Sequence, residues 1–211
     1  AAHPAPGTTG SRHSLDALLA ASVIASFSSP HEAMDYAERA RAEATALGDQ
    51  LGEVRALQHI SDCAFEVGDL ALARRTGEEA LELAEHLGGY AAARCRLTVA
   101  YNHLADLDLD RAEHWTRRAG IAFDAIDDDQ GRADADLALG VIAVLTGAGP
   151  AAVELLDRVL ATYRRVDSQE DVAQTAVLLA RVMAEAGTRD GCADLLREAC
   201  DIHATIRHPW N

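Results

Sequence analysis

The sequence predicts an all-α protein, an α-α superhelix or solenoid of about five antiparallel helix hairpins, and three observations carry that prediction. Apolar residues make up 49% of the chain but aromatics only 4%. Alanine supplies the difference, and it has the highest intrinsic helix propensity because it loses no side-chain entropy. Small residues also recur in phase. Ala73 has counterparts at Ala33, Ala112, Ala152 and Cys192, spaced 40, 39, 40 and 40 residues, and a period of that size marks stacked supersecondary units. Finally, glycine and aspartate gather between the small-residue stripes, where tight helix–helix turns need them. Strand-forming runs of β-branched and aromatic residues are missing.

The elements follow from that grid in chain order. Residues 1–13 are rich in Pro, Gly, Ser and Thr and read as a flexible leader or linker. Residues 14–206 carry the repeats, and 207–211 form a tail. The first hairpin places Ala21 on its helix A, Ser28 at the turn, and Ala33 and Ala40 on helix B. In the second, "LGEVRALQHISDCAFEV" is helix A, "GD" the turn and "LALARRTGEEALELAEHL" helix B, with Ser61, Gly68, Ala73 and Ala80 in the grid places. Asp69 caps that helix B and Gly88-Gly89 ends it. The third hairpin holds Ala100, Leu107, Ala112 and Ala119, with "DLDLD" in place of a glycine turn and Asp108 as cap. In the fourth come Gly140, Gly147, Ala152 and Val159, with Pro150 early in helix B, where its missing N–H costs least. The fifth holds Ala180, Gly187, Cys192 and Ala199, with Asp190 as cap.

The second helix B presents Ala73, Gly77, Ala80 and Ala84 on one stripe. So little bulk means that another backbone comes close, and the antiparallel helix A, with Ser61 against Ala73, is the expected neighbour. Leu57, Ile60, Leu81 and Leu87 lie off that line and fill the space between successive hairpins.

This grid resembles the tetratricopeptide repeat: a small residue at its eighth position, Gly at the fifteenth, Ala at the twentieth and twenty-seventh. The resemblance covers roughly residues 14–206. The family's early Trp and helix-ending Pro are absent, and the period is about 40 instead of about 34. In its longer form, "lGD-x-x-G-x-A-x-A-L", the repeat is similar to the sensor arrays of large bacterial regulators, the SARP-type and LuxR-type ATP-dependent activators. The resemblance implies a non-catalytic module that binds a protein or peptide segment on a concave face lined by helices A, as part of a larger bacterial transcriptional regulator. The family's ligand-facing positions then fall on Arg55, Gln58, His59 and Asp62, on Arg94, Thr98 and Tyr101, on Leu137 and Val141, and on Val177 and Arg181.

The first half of that face offers Arg55, His59, Arg94 and Tyr101 to carboxylates or carbonyls. Its second half is apolar and suits an amphipathic helix or a hydrophobic peptide. A competing role for Arg55 and Arg94 is to pair with Asp62 or Glu53 and keep the face soluble. An alternative function is self-association, a homodimer through the terminal repeats. Leu195, Leu196, Ala199 and Ile202 leave an apolar edge that a further domain, a second copy, or Trp210 with the tail would cover. A third function is small-molecule sensing in a pocket around Leu137, Val141 and Val177.

Charge and motif content exclude other classes. With 34 acidic against 19 basic residues the net charge is −15, which repels phosphate backbones and argues against a direct nucleic-acid partner. The longest apolar candidate, "LDALLAASVIASF", falls short of the roughly 20 residues a membrane helix needs. Cys63, Cys95, Cys192 and Cys200 form no CxxC pair and read as reduced thiols of a cytoplasmic protein. "IDDDQG" has Gly131 where a metal-binding carboxylate array would need a third acid, and reads as a solvated loop. "DLDLDRAEH" lacks the central Gly and terminal Glu of a calcium loop. His59 and Asp62 stand one turn apart with no nucleophile beside them. There is no phosphate-binding glycine loop, nucleophile elbow or dinucleotide fingerprint. An enzyme is not expected, nor any metal or cofactor.

Overall fold

The computed structural model describes residues 11–207, and every regular element among them is a helix. In order these are α1 (Arg12–Ser26), α2 (Pro30–Leu47), α3 (Gln50–Glu66), α4 (Leu70–Leu87), α5 (Gly89–Ala105), α6 (Leu109–Asp124), α7 (Asp129–Leu145), α8 (Gly149–Arg165), α9 (Gln169–Glu185) and α10 (Cys192–Arg207). They are the A and B helices of five helix–turn–helix repeats, as the grid predicts. The first helix opens at Arg12, inside the segment read as leader. Trp210 lies outside the described residues.

Side-chain caps and left-handed turn residues set the helix ends. Ser11, Ser29, Asp49, Asp69, Asp108 and Asp128 each accept a hydrogen bond from the backbone N–H three residues on, a contribution of about 1 kcal/mol apiece. Asp69 and Asp108 are the predicted caps. Asp190 is not: α10 begins at Cys192, after Gly191 with φ 86°, and Asp190 accepts no such bond among the described residues. Two sets of turns use a left-handed residue. Gly68, Leu107, Gly147 and Gly187 join A to B, while Gly48, Gly88, Asp127 and Asp167 join B to A. Aspartate tolerates that conformation through local hydrogen bonding. "IDDDQG" is thereby explained as a turn: Asp127 has φ 55°, Asp128 caps α7, and Asp129 pairs with Arg165 at 2.8 Å.

The chain divides into two compact units, one ending at Leu107 and the other starting at Asp108. In the first, each helix packs on the next in sequence, and α3 also lies beside α1 and α5. Ala33, Ala37, Ala40, Ala73, Ala80 and Ala84 are fully buried, as the stripe requires. The expected neighbour of Ala73 is there, since the Ser61 hydroxyl donates to the Ala73 carbonyl at 2.8 Å. A second side chain joins it. Asn102 of α5 donates to the same carbonyl at 3.0 Å and to Ser61 Oγ at 3.3 Å. A Cβ at Gly77 would lie 2.7 Å from Asn102 Nδ2. The gap in the helix B stripe therefore admits the next repeat's asparagine as well as the partner helix.

The first repeat departs from the grid by one residue. It is the Ser22 hydroxyl that donates to Ala33, at 2.9 Å, while Ala21 is only half-buried. Ser28 has no left-handed φ, so α1 ends in an ordinary four-residue step, Ser29 N–H to Ala25 at 2.8 Å. At the second repeat, Asp69 N–H reaches back five residues to Ala64. Without that wider step the first turn is one residue shorter: eleven residues separate Ser22 from Ala33, where twelve separate Ser61 from Ala73. Leu87 also departs from expectation, being exposed at the end of α4, whereas Leu57, Ile60 and Leu81 are buried.

In the second unit α6 to α10 again pack consecutively. The core gathers Leu156, Leu160, Tyr163, Val172 and Leu179, with Leu195 and Ile202 of α10 against it. Phe123 is fully buried over Gly131, where an added Cβ would fall 2.3 Å from the ring. Of the predicted apolar edge of α10, Ala199 is buried and Leu195 and Ile202 turn inward, leaving Leu196 exposed.

Candidate functional site

In the first unit, adjacency of α3 and α5 brings the predicted polar residues together. Arg55 and Asp62 are exposed on α3, with Gln58 and His59 half-buried between them. Arg94 and Tyr101 are half-buried on α5. Thr98 does not join them. It is buried, and its Cγ2 lies 3.5 Å from where a Gly77 Cβ would stand, so it packs toward α4.

The electrostatics of this face centre on His59 and Asp62 of α3 and on the two arginines near them. Desolvation, and then the charges of Arg94 and Arg55, hold the His59 pKa below its ordinary value. Desolvation pushes the Asp62 carboxyl up, with Arg94 opposing. Both groups are thus driven toward their neutral forms, although Asp62 is reached by solvent. They make no hydrogen bond to each other. Glu53, the other expected partner for the arginines, is engaged by Arg41, which also reaches Glu79. Among the described residues Arg55 makes no ion pair, while Arg74, Arg96 and Arg41 of the same unit each hold a carboxylate. The Gln58 Nε2 is buried with no hydrogen-bond partner, an orphan donor of the kind that folded proteins seldom tolerate without a use. Sequence reasoning named Gln58 but had no means of finding that its amide is unsatisfied.

In the second unit the predicted residues lie on α7 and α9. Leu137 is half-buried against the core, Val141 is half-buried, and Val177 and Arg181 are exposed. Among the described residues Arg181, like Arg55, makes no ion pair, whereas Arg132, Arg158, Arg164, Arg165 and Arg197 do. Asp134 accepts a 2.7 Å hydrogen bond from the buried Tyr163 hydroxyl. A cavity of about 160 Å³ lies between α6 and α7, lined by Thr116, Gly120, Ile121, Arg132 and Leu139 among others. It includes none of Leu137, Val141 and Val177. Arg132 within it is already held by Asp124 and Asp136 at 2.5 and 2.9 Å. A cavity of this size is below the usual range for a metabolite pocket.

No group of three or more metal-ligating side chains occurs among the described residues. None of their helices is long and apolar enough to cross a membrane. All four thiols are free. Burial, with neighbouring acids, raises the Cys63 pKa to about 11 and the Cys95 pKa to about 12. A thiol reagent at neutral pH should therefore label exposed Cys200 quickly and half-buried Cys192 more slowly. Cys63 and Cys95 should react only on unfolding, which a timed titration with and without denaturant would check.

Comparison with known proteins gives the fold a context. No protein-family model matches the chain, and no curated protein matches it significantly. Solved structures do match. A Rap protein complexed with competence and sporulation factor superposes with a TM-score of 0.83 at 14% identity, covering 94% of this chain and 56% of that one. The Rap conjugation gene regulator of plasmid pLS20, in complex with the Phr* peptide, gives 0.81 at 16% identity, covering 92% and 54%. A Podosopora anserina kinesin light chain with nearly identical TPR-like repeats gives 0.65 at 16% identity, covering 93% and 99%. The fold is that of the tetratricopeptide-like repeat proteins. The chain spans about half the length of the Rap chains it matches.

Proposed function

We propose that this chain is a non-catalytic binding module whose α3–α5 face takes an acidic segment of a peptide or protein. One observation carries the reading. In a chain of net charge −15, Arg55 on a predicted ligand face has no ion-pair partner among the described residues, while Glu53 beside it is engaged by Arg41. Desolvation, with the charges of Arg94 and Arg55, holds the His59 pKa below its ordinary value, so at neutral pH the imidazole leaves the guanidinium of Arg55 as the exposed cation of α3 on this face. The fold shared with a peptide-bound gene regulator is consistent with this role. The span of about half that regulator's length fits the sensor or assembly portion of a larger bacterial transcriptional regulator. The four free thiols fit the reducing cytoplasm.

Selection of peptides from a random displayed library should enrich sequences carrying Asp, Glu or a free C-terminal carboxylate. A charge-assisted hydrogen bond is worth about 1.5–3 kcal/mol, so Arg55→Ala with Arg94→Ala should weaken the selected peptides at least tenfold. The affinity should also fall with added salt. Arg75→Ala on α4 with Arg189→Ala makes the same two-charge change elsewhere, at exposed positions, and should leave affinity unchanged. Equal loss in both variants, or selected peptides without acidic groups, would rule the reading out.

A further inference from the structure

Among the described residues, five buried glycines stand inside helices: Gly52, Gly77, Gly120, Gly131 and Gly140. Four of them are required by their neighbours. An added Cβ would fall 2.7 Å from a side chain at Gly52, 2.7 Å at Gly77, 2.3 Å at Gly131 and 2.8 Å at Gly140. Gly120 is different. Its Cβ would meet Ala135 Cβ, Arg132 Cδ and Arg132 Cζ at 3.6 Å each, which is ordinary contact. Glycine is the least favourable residue after proline in a helix interior, and packing does not require it here.

Repeat symmetry identifies the side chain that Gly120 lacks. Eight residues beyond Ala33, Ala73, Ala112 and Ala152 come Arg41, Leu81, Gly120 and Leu160. Leu81 and Leu160 are buried and Arg41 is half-buried. In the third repeat no side chain of that size fills the place. The cavity of about 160 Å³ between α6 and α7 is lined there by Gly120, with Ile121, Ala135 and Leu139 as apolar walls. Ile121 and Arg117 of the lining are exposed, so the cavity opens at the surface. Its polar groups are already engaged. The Thr116 hydroxyl donates to the Ala112 carbonyl at 2.7 Å, Arg117 holds Glu113 at 2.5 Å, and Arg132 holds Asp124 and Asp136.

We infer that this notch receives one leucine side chain of a partner peptide segment, flanked in that segment by basic residues. Size selects a side chain. The volume is below that of a metabolite pocket but close to the roughly 150 Å³ of an apolar cavity that takes up benzene, and leucine is what the equivalent places at 81 and 160 hold. Polarity selects an aliphatic group, because the lining donors already have acceptors. Charge selects the flanks. Three carboxylates, Glu113, Asp124 and Asp136, surround the two guanidiniums of Arg117 and Arg132, so the surplus at the rim is negative and suits a neighbouring cation. An anchor filling a desolvated pocket inside a charged rim is the arrangement that concentrates binding energy at protein interfaces. This site lies in the second unit and does not rest on the acidic-segment reading of the α3–α5 face.

The test is an NMR titration of the isotope-labelled whole chain with the blocked tripeptide lysyl-leucyl-lysine amide. Backbone amide signals of residues 116–121 and 132–139 should shift saturably. Alanine in place of the peptide's leucine should weaken binding about tenfold. Glutamates in place of its lysines should weaken it as well, by a margin that shrinks with added salt. Gly120→Leu supplies from within the side chain that Leu81 and Leu160 supply in their repeats. It should raise Tm by about 4 °C or more and abolish the shifts. Gly120→Ala, whose methyl has room, should raise Tm by about 2 °C and weaken the peptide in part, which keeps a folded variant in the series. The inference is overturned by an absence of shifts at these residues, by equal affinity for the leucine and alanine peptides, or by binding that neither substitution at 120 alters. Shifts produced by 3-methylbutan-1-ol but not by the peptide would also overturn it, since the notch would then be a small-molecule site.

Discussion

Gly131→Ala is expected to lower stability by about 2–3 kcal/mol, although the same change in an exposed helix would raise it by about 1 kcal/mol. The added Cβ would lie 2.3 and 2.4 Å from Phe123 Cδ1 and Cε1, inside the ring's van der Waals surface. The ring has no room to swing aside because Phe123 is fully buried. Nor can α7 retreat easily at this point, since Gly131 N–H is held by the Asp128 carboxylate at 2.9 Å. Phe123→Ala should cost more, about 3–5 kcal/mol, from lost burial and the cavity left behind. The two changes should not add. Once the ring is gone the new methyl occupies part of the vacated space, so the double variant should be less destabilised than the sum by about 2 kcal/mol or more. Urea unfolding of the four proteins gives the cycle, provided the m-value is unchanged. Additive costs would mean that glycine at 131 is not there for the ring.

The pairing of Gly131 with Phe123 also marks where the sequence stops being informative. Repeat period, turn positions and the buried small-residue stripe were legible because they are backbone requirements. A left-handed turn residue or a close helix contact restricts the residue type locally, whatever the partner. That is why Ala33, Ala73, Ala112 and Ala152 all prove fully buried. What fills the space opposite a small residue is set by a side chain from another repeat, at a separation no local pattern encodes. The helical count also fails wherever a turn changes its hydrogen-bond step, as the Ala21–Ser22 shift shows.

The candidate face was legible to the same extent. The residues assigned to it on α3 are at least partly exposed, but Thr98 on α5 is buried. Helix α5 is buried on several sides, including Leu97, Thr98, Val99, Asn102 and His103, so a position rule that assumes one covered stripe misassigns its neighbours. Charge pairing was not legible either. Arg41 takes Glu53 from the repeat that follows it, and that removes the partner which proximity in sequence would have given Arg55.

Gly77→Ala should likewise reverse the sign that helix propensity gives it. In α4 the substitution ought to be favourable by about 1 kcal/mol on backbone grounds alone. Its Cβ, however, would lie 2.7 Å from Asn102 Nδ2 and 3.2 Å from Ser61 Oγ. The asparagine is 5% exposed and donates to both Ser61 and the Ala73 carbonyl. Moving its amide by the required half ångström or more breaks those bonds in a place where water does not replace them. The expected net cost is about 2 kcal/mol, or about 4–8 °C in Tm for a chain of this length. Asn102→Ala should cost about 1–3 kcal/mol, because the Ser61 hydroxyl still satisfies the Ala73 carbonyl. Together the two should cost less than either sum predicts, since the methyl at 77 enters the space the amide leaves. If Gly77→Ala instead stabilises the protein, the polar plug between the second and third repeats carries no energetic weight, and the small-residue stripe of α4 serves only the approach of its own hairpin partner.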